Sequence, residues 1–108
     1  MQIGDIILIP FPFAELTGKK LRPAVVLAQT KDKYKDLIIA VISSVIPYKL
    51  GENDILVEAS NKNKLRKDSV IKVDRIITLK KEDKVADLGC LTEEEIQILK
   101  EKFKRLVD

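Results

Sequence analysis

Short apolar runs rich in Ile and Val, separated by polar punctuation, set the rhythm of this chain. Residues 6–9, 24–28, 37–41, 55–57, 70–73 and 76–79 each read as a β-strand, because β-branched side chains pack well on a pleated surface. After the first run, Pro10-Phe11-Pro12-Phe13 and Thr17-Gly18-Lys19-Lys20 predict a loop over 10–21, since a central strand needs the backbone donor that proline lacks. The loop returns the chain to a second strand at Arg22. Residues 44–53, with Pro47 and Gly51, and 60–67, rich in Asn and Lys, predict exposed connections that either meet a ligand or simply face solvent.

The last segment changes period. Thr92 followed by Glu95 is a capping-box pattern, and Glu93 and Glu94 sit in the first turn, where the helix end is positive. Ile96, Leu99, Phe103 and Leu106 then recur at helical spacing, with Lys100, Lys102, Lys104 and Arg105 largely between them. One face of this helix is expected to pack on the sheet while the charges face water. Neither a repeat nor a Pro/Gly-rich linker divides the chain. The expected architecture is therefore mainly β with a C-terminal helix: a strongly curved antiparallel sheet forming one domain over 1–108.

Composition narrows the chemistry. Lys and Arg total 20 against 17 Asp and Glu, a net charge of +3 that suits a polyanionic partner but does not single one out. The chain has no histidine, which removes imidazole-based nucleases, Ser-His-Asp hydrolases and histidine-ligated zinc sites together. Its one cysteine, Cys90, cannot form an internal disulfide, and no spacing of acidic residues and cysteine resembles a metal site. No apolar run approaches the roughly 18 residues needed to cross a bilayer, and the first residues carry no secretion pattern. A cytoplasmic protein without metal, cofactor or membrane attachment is expected.

The N-terminal series Gly4-Asp5-Ile6-Ile7-Leu8-Ile9-Pro10-Phe11-Pro12-Phe13, then Gly18-Lys19-Lys20-Leu21-Arg22-Pro23-Ala24-Val25-Val26-Leu27, resembles the opening of MazF/PemK-family toxins. There a strand led by Gly-Asp and a loop run into a strand beginning Arg-Pro. The likeness continues through 39–44, 69–71, 76–79 and 88–91, in order and over nearly the whole chain. It implies an SH3-like barrel of the MazF/PemK/CcdB type and a homodimer. It also implies metal-independent, sequence-selective cleavage of single-stranded RNA by a toxin that a cognate antitoxin holds in check.

On that resemblance Arg22 is the principal catalytic candidate. Its planar guanidinium can contact two phosphate oxygens and stays charged at physiological pH, and Pro23 restricts the backbone beside it. Without the resemblance, an arginine at a strand entrance equally makes an ordinary surface ion pair. Ser43 matches the family position that carries Thr or Ser, whose hydroxyl contacts the scissile phosphate. Ser44 lies beside it, and alternation sends the two to opposite faces, so one of them is expected to join Arg22. The family likeness favours Ser43.

Lys19 and Lys20 are candidates for steering RNA through counterion release, or for merely keeping a turn soluble. Phe11, Phe13 and Tyr48 are candidates for stacking unpaired bases or for core packing. Asp5 and Asp74-Arg75 suit either orientation of the catalytic arginine or local capping. Cys90, expected in a turn before the helix, has no histidine to activate it and reads as an inert thiol.

The implied reaction is attack of the RNA 2′-hydroxyl on the adjacent phosphorus, leaving 2′,3′-cyclic phosphate and 5′-hydroxyl ends. The family likeness also gives Arg22 a part in proton transfer, which a guanidinium, a group that holds its proton tightly, performs poorly as a base. Competing classes are a CcdB-like toxin that binds DNA gyrase without hydrolysis and a noncatalytic RNA-binding barrel.

Overall fold

A computed structural model describes residues 1–11 and 20–108, leaving Pro12 to Lys19 outside the described residues. Among the described residues the apolar runs grow into five strands, and a sixth forms outside them: β1 Asp5–Phe11, β2 Lys20–Gln29, β3 Leu37–Ser43, β4 Asp54–Val57, β5 Ser69–Leu79 and β6 Ala86–Cys90. A 3₁₀ turn at Lys81–Asp83 leads into β6, and helix α1, Glu93–Arg105, follows it.

All neighbouring strands are antiparallel, in the order β4-β5-β3-β2-β1-β6. The sheet curls into a half-barrel until the β4–β5 connection meets β6 from the far edge, where the Cys90 N–H donates to the Lys62 carbonyl at 3.1 Å. Gly89 allows that approach: a Cβ there would collide with the Lys62 carbonyl oxygen and stand 2.9 Å from the Asn63 carbonyl carbon.

The curl buries both faces of its central strands. One cluster contains Ile6, Val25, Leu27, Ala40, Ile42, Ile71 and Val73 and is closed by Leu99 of α1. The other lies on the opposite face and contains Ile7, Ile9, Ala24, Val26, Leu37, Ile39 and Leu79. This explains why Ala24 to Leu27 are all buried in an unbroken apolar run instead of alternating with polar residues. Each fully buried Ile or Val contributes about 1.5–3 kcal/mol.

The helix forms as its sequence predicts. Glu95 N–H donates to Thr92 Oγ1 at 3.2 Å and Thr92 N–H to Glu95 Oε1 at 2.9 Å, closing the capping box. Ile96, Leu99, Phe103 and Leu106 pack on the first cluster. Gly4, at φ +95°, turns beneath the helix where a side chain would strike Ile96.

Three expectations are corrected. Pro10 and Phe11 continue β1, paired with Leu21 and Lys20, so the loop is shorter than 10–21. The prolines fit because pairing is one-sided there: β6 accompanies β1 only as far as Leu8, and β3 accompanies β2 only from Ala24, leaving Pro10 and Pro23 each with a free edge. The two runs 70–73 and 76–79 are one strand, β5, whose register against β3 jumps from Val41↔Lys72 to Ala40↔Ile76. Finally, residues 86–90 form a strand, so Cys90 ends β6 instead of lying in a turn. No helix among the described residues is long and apolar enough to cross a membrane.

Candidate functional site

The mouth of the curl holds a cavity of about 390 Å³. Its floor is apolar: Leu8 from β1, Pro23 from β2, Leu65 from the β4–β5 connection and Leu88 from β6. Arg22, Lys64, Arg66 and Lys67 border it with the hydroxyls of Ser44 and Ser69, and no carboxylate is among the lining residues. Another depression, bounded by Met1, Asp5, Asp87 and Gly89, carries acidic side chains and no Lys or Arg. A third lies over β5 at Lys72, Asp74 and Arg75, with mixed charge. Of the three, the Arg22 cavity is the one whose electrostatics suit a polyanion.

Arg22 stands exposed near the start of β2, opposite the buried Ile9 of β1. Ala24 pairs with Val41, and counting two residues along each strand from that pair puts Arg22 and Ser43 in phase on the same sheet face. The Ser43 Oγ accepts the Val45 N–H at 3.1 Å, which leaves its own proton to donate. Ser44, in phase with Ile42 on the other face, is the serine that lines the cavity beside Arg22. Ser43 therefore shares the arginine's face and Ser44 shares its cavity.

Lys20 opens β2, exposed and paired with Phe11 at the end of β1. Lys19 and Phe13 lie outside the described residues. Tyr48 is fully exposed in the β3–β4 connection and touches no part of the cavity. Asp5 does not reach Arg22's cavity, and its Oδ2 accepts the Gln2 N–H at 2.9 Å, a local cap. Asp74 and Arg75 sit in the β5 irregularity, away from Arg22. Among the described residues the ion pairs are Lys72–Asp54 at 3.1 Å and Lys84–Asp87 at 2.9 Å, so the cavity's cations have no carboxylate partner there. Those residues also hold no cluster of His, Cys, Asp and Glu able to bind a metal ion.

The cations that reading the sequence passed over are Lys64, Arg66 and Lys67. Their segment reads as a solvated connection, yet Leu65 interrupts the polar run and is buried, which pins the chain and turns its neighbours outward. A lone apolar residue between basic ones was the available signal. The connection is rigidly built. Asn63, 2% exposed, accepts the N–H groups of Ser60 and Leu65 at 2.9 and 3.0 Å and donates to the Glu58 carbonyl at 2.8 Å. Asp68 accepts the Ala59 N–H at 2.8 Å, and Ser69 Oγ donates to the Lys67 carbonyl at 2.9 Å.

The model of the family described as PemK-like, MazF-like toxin of type II toxin-antitoxin system matches residues 2–107. The fold is similar to the Mycobacterium tuberculosis toxin MazF-mt6, at TM-score 0.74 and 19% identity over 96% of each chain. It is equally similar, at TM-score 0.74 and 11% identity, to an endoribonuclease in complex with its cognate antitoxin from Mycobacterial species, covering 99% of this chain and 94% of that one. No curated protein matches the sequence at a significant level.

Proposed function

This chain belongs to the PemK-like, MazF-like toxins of type II toxin–antitoxin systems, and we propose that it is an endoribonuclease cutting single-stranded RNA at the Arg22 cavity. The observation that carries this is the cavity's composition: Arg22, Lys64, Arg66 and Lys67 with two hydroxyls around an apolar floor, and no carboxylate. Such a site attracts a phosphodiester backbone, while the apolar floor suits the face of an unpaired base.

The reaction is transesterification. The ribose 2′-hydroxyl attacks the adjacent phosphorus, the bond to the 5′-oxygen of the next nucleotide breaks, and the products end in 2′,3′-cyclic phosphate and 5′-hydroxyl. The nucleophile comes from the substrate, so neither a metal-bound hydroxide nor a protein nucleophile is required. Charge grows on the phosphoryl oxygens as the transition state forms. Arg22 answers it with the fixed charge of its guanidinium, and Ser43, which shares Arg22's sheet face although it does not line the cavity, is the hydroxyl assigned to add a hydrogen bond.

The protein acts as a homodimer, and its antitoxin lays an acidic segment over the cations of the mouth, competing with RNA for the same charge. The similar endoribonuclease solved in complex with its cognate antitoxin supports an antitoxin as partner.

The deciding experiment incubates the protein with a long RNA in EDTA and analyses the fragment ends, beside an RNA carrying 2′-deoxyribose at the cut site. Cyclic phosphate and 5′-hydroxyl ends with the first, and an intact second, are expected. Cutting of the deoxy substrate would overturn the mechanism. No cutting of any RNA would return the chain to the non-hydrolytic toxins or the noncatalytic RNA binders.

A further inference from the structure

We propose that the β4–β5 connection, residues 58–68, is a preformed RNA-backbone clamp in which Lys64, Arg66 and Lys67 hold phosphates flanking the one at Arg22. The proposal rests on the ribonuclease reading for its ligand, and its own evidence is the construction of the loop. Three exposed cations border one cavity wall. The backbone that carries them is immobilised from within by the buried Asn63 amide and from outside by β6, through Cys90 N–H on the Lys62 carbonyl and the close face of Gly89. A connection that served only solubility would need no such scaffold.

Lys64 adds a second observation. Its φ is +60°, the left-handed region that a residue with a side chain enters at a cost, and its N–H donates to the Ser60 carbonyl at 2.9 Å. Glycine would fit that backbone better. A lysine there gives up stability, and the cavity it borders supplies the return: a cation placed beside Arg22 before RNA arrives, so that less ordering is needed on binding.

The clamp separates from the chemistry in its signature. Phosphate contacts position the substrate without reading its bases, so they act on affinity and on its salt dependence. Binding of a single-stranded RNA with 2′-deoxyribose at the cut site is measured over a range of salt for the parent, for Lys64→Gln, Arg66→Gln and Lys67→Gln singly and together, and for Lys62→Gln. Lys62 has the same charge on the same loop but does not line the cavity. Each clamp variant is expected to weaken binding several-fold and lower the slope of log affinity against log salt by about 0.7. The triple variant should lower it by about 2, and Lys62→Gln should leave it nearly unchanged. Lys64→Gly should melt at the same or a higher temperature than the parent while binding RNA as weakly as Lys64→Gln.

A triple variant with the parent's affinity and slope overturns the clamp, as does a Lys62→Gln effect equal to those of the lining residues. If RNA binds with the expected slopes but is never cut, the clamp stands and the ribonuclease assignment falls. If the protein cuts RNA while the slopes do not move, the reverse holds. If no single-stranded RNA binds, both fall.

Discussion

Gly89 of β6 lies against the main chain at Asn63 so closely that a Cβ would stand 2.9 Å from the Asn63 carbonyl carbon. The contact joins the two edges of the curled sheet. Gly89→Ala should force them apart, costing about 1–3 kcal/mol in the manner of an overpacked core. Urea denaturation would register this as a lower midpoint, and RNA affinity should fall with it because the β4–β5 connection loses its outer support. A midpoint equal to the parent's would mean that the edges are not held together here.

Arg22→Ala should keep a cooperative thermal transition, because the side chain is exposed and has no carboxylate partner among the described residues. Cleavage should fall on the order of a hundredfold or more while RNA affinity changes far less, as expected when a charge matters chiefly in the transition state. Arg22→Lys should recover only part of the rate, since an ammonium cannot make the paired contact. Single-turnover kinetics with a separate binding measurement checks both.

Ser43→Ala and Ser44→Ala distinguish the two sides of β3. Ser43 shares Arg22's sheet face, so its loss should slow cleavage at saturating RNA. Ser44 borders the cavity, so its loss should act mainly on affinity. Comparison of rate at saturation with binding for each variant decides it. A rate loss confined to Ser44→Ala would move the catalytic hydroxyl to the cavity side.

Asp54 predicts a pH dependence of stability. Burial pushes its carboxyl up, but the Gly51 N–H at 2.7 Å and Lys72 at 3.1 Å, with Lys102 nearby, outweigh that and hold it below the usual aspartate value. A carboxylate depressed in the folded state stabilises above its unfolded pKa and loses that contribution as pH falls through the folded value. Asp54→Asn should therefore reduce unfolding stability at pH 7 by up to about 1 kcal/mol for a pair of this exposure, read as a lower urea midpoint. The two proteins should converge as pH drops below the usual aspartate range and through the depressed folded value.

The fold was legible wherever apolar period and local chemistry agreed. The Ile/Val runs and the Thr92–Glu95 cap mark strands and helix with no help from distant contacts, although the runs at 70–73 and 76–79 belong to one strand. What escaped was decided by partners far along the chain. Pro10 looks like a strand breaker until one knows that β6 accompanies β1 only as far as Leu8. Ala86 to Cys90 has too little apolar content to read as a strand, and it becomes one because β1 offers an edge. Gly89 there looks like a turn residue, although its role is to admit the Lys62 backbone. In the site, Arg22 and the serine pair could be nominated from the family pattern. Lys64, Arg66 and Lys67 could not be joined to them, because nothing local shows that a connection at one sheet edge will arrive beside β2.

The meeting of the two sheet edges also sets when during synthesis the site can exist. Leu8 and Arg22 leave the ribosome early, and the basic connection well after them, but the wall at Leu88 and the bond from Cys90 belong to the last strand. A nascent chain that has not yet exposed β6 has no closed mouth and no fixed place for its loop cations. On the proposed ribonuclease reading, the site is thus withheld from the RNA nearest to it, the message being translated, until β6 has been made.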